Sequence, residues 1–435
     1  MGSYFTTFRG FSIPARIIII GGAFNAFGNG IVFPFLFVYI HNALHLPYEV
    51  AGAALSIMAI AGLVVGPIFG KAADIVGYKL MFGISLLLQA FGYGLLALVT
   101  RGWQMFLVLI LAGAGNGGFW PVQLAIMQGL AEDAQRSHLF VFDRVGANAG
   151  IGLGGLAGGG VMLSALPYRY TLIFEIDAAS FLLFLLLFIL SYGHVIPQAS
   201  DDGAAEVEPQ ESEQQRSAIY RDRTLIGLAT IRFLLVLGGY ALFETALTLF
   251  AFNRTSLGAS SLGWPFFVNA FAGLLIQVPL AKALQGRNRM GALFMASVIW
   301  AAAWLLLDAS AVFPKGRSFV LGIVVLVAFL FSIGEAIEGV TYEPLVADLS
   351  PPARAGQYMS VVTSSWQLGL VLAPTMTGFF MKLSPGALWP FASVLCLAAG
   401  TLSLLMNRIV PQEFRHVPVE ASGPVVASTE GRGVD

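Results

Sequence analysis

Apolar runs of about twenty residues recur along nearly the whole chain, each closed by charged residues or by Pro and Gly. Their positions predict twelve spans, at 15–40, 49–70, 78–99, 103–127, 144–166, 170–192, 224–250, 260–281, 290–308, 318–344, 358–380 and 387–408. In hydrocarbon the backbone groups of such runs must pair internally, which leaves helices or closed barrels. Barrel strands would alternate in short segments, and these runs do not. The predicted fold is therefore an all-α membrane protein of twelve transmembrane helices. One long polar stretch, rich in Asp, Glu, Gln and Ser, interrupts the pattern between the sixth and seventh spans. The expected organisation is a six-helix bundle over 1–192, a connector over 193–223, a second six-helix bundle over 224–410 and a disordered tail over 411–435.

The two bundles repeat one another. In the fifth span, Gly150, Gly154, Gly155, Gly158 and Gly159 match Gly369, Ala373, Pro374, Thr377 and Gly378 in the eleventh. Gly66-Pro67 at the end of the second span is echoed by Val278-Pro279 in the eighth. Equivalent helices six apart with the same ends predict two halves related by an axis along the membrane normal. Sixteen basic residues fall on the side of the termini and six on the other, a bias that places both termini and the connector in the cytoplasm. The first span has no small-residue cleavage pattern behind it and reads as a retained helix.

Composition narrows the function. Hydrophobic residues make up 57% and charged residues 11%, against roughly 25% charge in an ordinary soluble domain. A net charge of -1 gives no reason to expect nucleic acid as a partner. The single cysteine, Cys396, lies in the last span, which rules out an intramolecular disulfide. No phosphate-cradling loop, nucleophile with its base or metal cluster is present, and His41 and His45 stand without a third ligand, so no enzyme, cofactor or metal is expected.

The strongest local pattern is Gly70-x3-Asp74-x2-Gly77-Tyr78-Lys79, in the short turn between the second and third spans. Physics alone reads it as a tight reversal with an acidic cap. The element resembles one found in this loop of the major facilitator superfamily, with Tyr78 where a basic residue is usual and Ile75 where Arg or Lys is common. The glycines of the fifth span resemble the superfamily's antiporter element, with Gly155 in place of the proline that Pro374 retains in the eleventh. Gly334-Glu335, followed by Pro344, Arg354 and Tyr358, resembles the multidrug exporters of the drug:proton antiporter branch, the lactococcal exporter among them. That branch's usual Arg in the fourth span has no counterpart, since Leu109 and its neighbours are apolar. The resemblance covers roughly residues 10–410 and implies a monomeric secondary transporter of the bacterial cytoplasmic membrane, built as two pseudo-symmetric six-helix bundles.

Ionisable groups inside spans are costly and point to function. Glu335 and Glu338, three apart in the tenth span, share a face, with Glu343 beyond them. Glu335, Glu338, Glu244 and, by the resemblance, Asp143 are the expected proton-coupling residues. Arg232 is expected to snorkel toward the cytoplasm, and Asp177 to make a structural hydrogen bond. Asn25, Asn29, Asn116, Gln123, Tyr240, Asn269, Gln277, Trp366 and Gln367 are expected to line a cavity suited to an amphipathic solute, with no dense charge cluster in it. Gly70, Asp74, Gly77, Lys79, Gly150, Gly154, Gly158, Gly159 and Pro374 form the expected conformational motifs; plain helix packing is the alternative for the glycine stripe. The expected function is export of lipophilic or amphipathic compounds in exchange for protons. A transporter of a defined metabolite (sugar, siderophore or lysolipid) and a non-transporting receptor or scaffold are the alternatives.

Overall fold

The computed structural model of the chain describes residues 2–130, 133–164, 166–191, 222–312, 316–351 and 354–419. Most of the expected connector and the end of the tail lie outside these residues. Among the described residues a short helix, Gly2–Gly10, precedes twelve long ones. The first half holds α1 (Ile13–Ala43), α2 (Tyr48–Val76), α3 (Tyr78–Leu96), α4 (Gly102–Leu130), α5 (Asp133–Leu163) and α6 (Arg169–Ser191). The second holds α7 (Arg223–Arg254), α8 (Trp264–Leu284), α9 (Arg289–Val312), α10 (Arg317–Leu349), α11 (Ala355–Leu383) and α12 (Leu388–Met406). Each helix overlaps one predicted span, although α5 begins at Asp133, eleven residues before its span at 144–166.

Ten of these helices are long and apolar enough to cross a membrane; α5 and α11 are not among the ten. Packing explains the difference. α5 lies against α1 and, across the halves, against α8, while α11 lies against α7 and, across the halves, against α2. Helices enclosed by protein rather than lipid tolerate glycine, serine and threonine.

The packing pattern is the same in both halves. α1 packs on α5 and α6, α2 on α4, and α3 on α4 and α6; correspondingly α7 packs on α11 and α12, α8 on α10, and α9 on α10 and α12. Between halves, α2 meets α11 and α8 meets α5, each contact the image of the other, and α1 meets α7.

Glycines set the closest approaches. A Cβ at Gly150, Gly154 or Gly158 would strike the α1 backbone at Ala23, Phe27 or Ile31. The expected stripe therefore packs inside the first half. A second glycine row faces the other half: Gly155 meets the Gly263 backbone and Gly159 the Ser260 carbonyl.

The face bearing the short helix and residues 411–419 is here the terminal face, and the opposite one the far face. Inter-half hydrogen bonds lie toward the far face: Asn42 with Asn253, and Ser56 Oγ with Thr375 Oγ1 at 2.8 Å. Lys382 and Glu49 add an ion pair there at 2.5 Å. Toward the terminal face the halves part, leaving Ile75, Val76 and Leu80 exposed on α2 and α3 and Ser360, Thr363 and Ser364 exposed on α11.

Residues 411–419 correct the expected disordered tail. The Val417 N–H donates to the Arg287 carbonyl at 3.0 Å, and Gly286 N and Arg289 N donate to the carbonyls of Val417 and Arg415. Val417 is buried against Leu284, Ala292 and Ile337, so an apolar side chain anchors this strap.

Candidate functional site: a charged cluster facing the inter-half cavity

The centre of the site is an arginine on α7. Arg232 lies nine residues beyond Arg223, about 14 Å into the helix at 1.5 Å per residue. Its Nη1 donates to Glu338 Oε1 on α10, and its Nη2 to Glu343 Oε1 at 3.2 Å. The guanidinium carbon stands 4.3 Å from the Trp366 ring centroid on α11 and 4.9 Å from that of Tyr342. The side chains of Arg232 and Glu338 are 9% and 3% exposed, whereas Glu343 is 59% exposed and faces open space. Arg232 is thus buried and paired instead of snorkelling. A cavity of about 310 Å³ opens beside it, lined by Arg232, Glu343, Val346, Met359, Val362, Thr363 and Trp366.

A break in helical winding aims the next residues. Val236–Tyr240 form a π-turn within α7, a device common at functional sites. The carbonyl of Gly238 accepts from Trp304 Nε1 at 2.8 Å and from Cys396 Sγ at 3.4 Å. Tyr240, at the end of the turn, donates its hydroxyl to Glu338 Oε2 at 3.2 Å, and its ring packs on Trp300, Phe331 and Trp366. One turn further on, Glu244 is exposed although it lies inside the span.

Glu335, eighteen residues beyond Arg317, sits in the middle of α10. Its Oε2 accepts from Asn269 Nδ2 of α8 at 2.8 Å, and the same amide reaches Ser332 Oγ at 3.1 Å. The side chain is half-buried, and electrostatic interaction links it to Glu244 and to Arg144 of α5. Glu338 and Glu343 thus pair with Arg232, while Glu335 and Glu244 interact with each other, and Glu335 also with Arg144. The expectation of a cavity without a charge cluster is corrected: the helix rotations that gather these acids are invisible in the sequence.

In the first half, Gln123 Nε2 of α4 donates to Asp143 Oδ1 of α5 at 3.1 Å. Gly22 of α1 gives that carboxylate room, since a Cβ there would lie 3.2 Å from Oδ1. Asn29 Nδ2 reaches Asn25 Oδ1 at 3.4 Å along α1. Asn116, Gln277 and Gln367 are half-buried and take no part in the Arg232 cluster. At the terminal turn Asp74 accepts the Tyr78 hydroxyl, and Gly77 carries a φ of 100°, a conformation glycine alone adopts freely. Pro374 stands at the inter-half contact, where a Cβ on Gly52 would strike its carbonyl. The expected hydrogen bond of Asp177 is absent; neither carboxylate oxygen has a partner.

Two helix bundles with the same packing pattern have counterparts among known proteins. The sequence profile of the Major Facilitator Superfamily matches residues 18–313, more than half of the chain. The chain belongs to the Major Facilitator Superfamily. It is a multi-pass membrane transporter, not an enzyme. The chain is 22% identical over 394 residues to the uncharacterized MFS-type transporter YhjO of Bacillus subtilis (strain 168), covering 91% of this chain and 93% of that one. It is 24% identical over 337 residues to the multidrug resistance protein MdtH of Proteus mirabilis (strain HI4320), covering 76% and 78%. Among solved structures, a POT family transporter in complex with 5-aminolevulinic acid superposes with a TM-score of 0.72 at 14% identity, over 92% of this chain and 96% of that one. A mutant of the nucleoside transporter NupG gives 0.72 at 16% identity, over 90% and 99%. Both share the fold of this chain.

Proposed function

We propose that this transporter exports small lipophilic or amphipathic compounds, cations above all, in exchange for protons across the bacterial cytoplasmic membrane. The observation that carries the reading is the excess of Glu244, Glu335, Glu338 and Glu343 over Arg232 and Arg144, with the rings of Tyr240 and Trp366 beside Glu338 and Arg232. Carboxylates within a span favour a positive solute, and aromatic faces favour a cation that has shed its water. The name of the MdtH relatives agrees with it. The excess of basic residues makes the terminal face the cytoplasm, so the conformation described is open inward, ready to load cargo.

Glu335 is the coupling residue in this reading. Glu338 is committed to Arg232, but Glu335 has one neutral donor, Asn269, and is partly exposed. A proton gained or lost there alters its bond to α8 and so biases the packing of α8 on α10. Each pKa unit by which two conformations differ couples about 1.4 kcal/mol of proton free energy to the transition. Asp143 with Gln123, and Glu244, are the further proton carriers; the polar residues of α1, α4, α8 and α11 contact solute, and the glycine motifs and Pro374 serve the rocking of the halves.

The test uses proteoliposomes with an imposed pH gradient and tetraphenylphosphonium as probe. Wild type moves the cation uphill. Glu335→Gln binds it with an affinity that no longer depends on pH and supports only downhill movement. A well-folded Glu335→Gln with an unchanged pH profile removes Glu335 from coupling, and tight binding of one metabolite in a varied panel, with no cation transported, replaces the export reading.

A further inference from the structure

Away from the Arg232 cluster, Asp177 is a buried acid without a counter-charge among the described residues. Asp177 of α6 has no exposed surface, and both of its carboxylate oxygens are without a hydrogen-bond partner. On α3 the hydroxyl of Tyr93 is equally buried and equally unpartnered, and it lies within electrostatic reach of Asp177. The Tyr93 ring stacks on Phe181, one turn along α6, with centroids 5.8 Å apart. Gly28 of α1 closes the third side. A Cβ at Gly28 would strike Asp177 Oδ1 and lie 2.5 Å from Ser180 Oγ, so the two oxygens converge on one spot of bare α1 backbone. Ser180 donates its proton to the Asp177 carbonyl at 2.7 Å, which leaves its oxygen lone pairs available.

The second half treats the matching place differently. Asp177 stands eight residues beyond Arg169 in α6, as Cys396 does beyond Leu388 in α12. Tyr93 stands fifteen beyond Tyr78 in α3, as Trp304 does beyond Arg289 in α9. There the glycine is Gly238 of α7, whose carbonyl takes the indole N–H of Trp304 and the thiol of Cys396. Neutral donors meet a neutral acceptor, and that place is complete by itself. The first half sets a carboxyl and a phenol in the same positions and supplies nothing to complete them. A buried charge is stable only when paired or when it holds a cation.

We propose that Asp177, with the hydroxyls of Tyr93 and Ser180, forms a closed site in the first half that takes up one positive charge, a proton or a sodium ion, separate from the central cavity. The two share the required chemistry, since each neutralises the carboxyl and each is met by oxygen. The site lies wholly among α1, α3 and α6 of one half, with α1 and α3 each packed on α6. A charge held there secures the docking of α1 on α6 through bare Gly28, so its loss is read in the stability of the protein.

The experiment compares full-length wild type, Asp177→Asn and Tyr93→Phe in detergent micelles. Thermal unfolding is followed in NaCl and in choline chloride, and infrared spectra are recorded with labelled aspartate. Sodium at the site raises the wild-type melting temperature in NaCl but not in choline chloride, and Asp177→Asn loses the response. A proton at the site gives a carboxylic-acid carbonyl band in wild type that is absent from Asp177→Asn and shifted in Tyr93→Phe, with no response to sodium. Should Asp177→Asn fail to fold, the wild-type and Tyr93→Phe measurements decide alone. Absence of both the sodium response and the acid band overturns the proposal.

Discussion

Asn42 of α1 and Asn253 of α7 exchange two amide hydrogen bonds across the halves, at 2.7 Å and 3.2 Å. They belong to a closure that includes Ser56 with Thr375 and Glu49 with Lys382. The exposed ion pair contributes little, because solvent screens it. More rests on backbone contact, because Gly52 approaches the Pro374 carbonyl and Gly378 the Tyr48 carbonyl with no room for a Cβ. Gly378→Val is expected to part α2 from α11 at the far face. Spin labels on cysteines at the exposed Thr100 and Ser384 read the separation, which lengthens in the variant. An unchanged distance distribution places the closure elsewhere.

Asp74 accepts the hydroxyl of Tyr78, four residues along its own turn, while the surrounding terminal ends stand exposed. The turn is thus available for contact with the other half when the terminal face closes. Asp74→Asn keeps the size and removes the charge, so transport is expected to fall while expression and melting temperature hold. Full transport by the variant reduces the element to a well-made reversal.

Asp222 caps α7, accepting from Thr224 N at 2.8 Å and Leu225 N at 3.2 Å, and receives the Tyr358 hydroxyl from α11. Burial opposes its ionised form, but the bonds from Tyr358, Leu225 and Thr224 outweigh burial and hold the carboxyl below its ordinary range. With the folded value below the unfolded one, the stability Asp222 lends is present above the unfolded pKa, about 4, and is lost as pH falls through the folded value. Tyr358→Phe removes one donor, so its deficit in melting temperature against wild type is expected at pH 7 and shrinks below about pH 4. A deficit constant from pH 7 to about pH 3 assigns the effect of Tyr358 to packing.

Helix number, the repeat and the terminal turn were legible because apolar length and glycine spacing are local properties. Rotation of each helix about its axis was not. α7 and α8 are apolar nearly all round, so no stripe reveals which side meets lipid and which the cavity. Arg232 consequently reads as a snorkelling residue, and only the packing of α7 on α10 and α11 exposes its partners Glu338, Glu343 and Trp366. The far-face closure escaped for a related reason: Asn42, Ser56, Asn253 and Thr375 are ordinary residues whose meaning lies in what another half places opposite them. The π-turn left a trace in Gly238-Gly239, but the indoles that complete it come from a helix some sixty residues away.

That turn supports the last prediction. Within the π-turn of α7 the carbonyl of Gly238 accepts from Trp304 Nε1 at 2.8 Å. The neighbouring glycine, Gly239, faces the ring of Trp300, which a Cβ would overlap. Both indoles therefore pack on the turn that brings Tyr240 to Glu338, with Glu244 exposed one turn further on. Trp304→Phe keeps an aromatic ring for the stack on Trp389, whose centroid is 4.9 Å away, but removes the N–H. Cys396 remains as a weak donor to the same carbonyl. The loss of one buried donor is expected to cost about 1–3 kcal/mol, less than the roughly 3–5 kcal/mol of Trp304→Ala, which also opens a cavity. If the turn positions the acids as well as the backbone, the pH profile of solute binding shifts in Trp304→Phe, since Tyr240 no longer holds Glu338 in the same place. A lower melting temperature with an unmoved pH profile confines Trp304 to structure. No change in either leaves Cys396 as a sufficient donor and removes Trp304 from the account of the site.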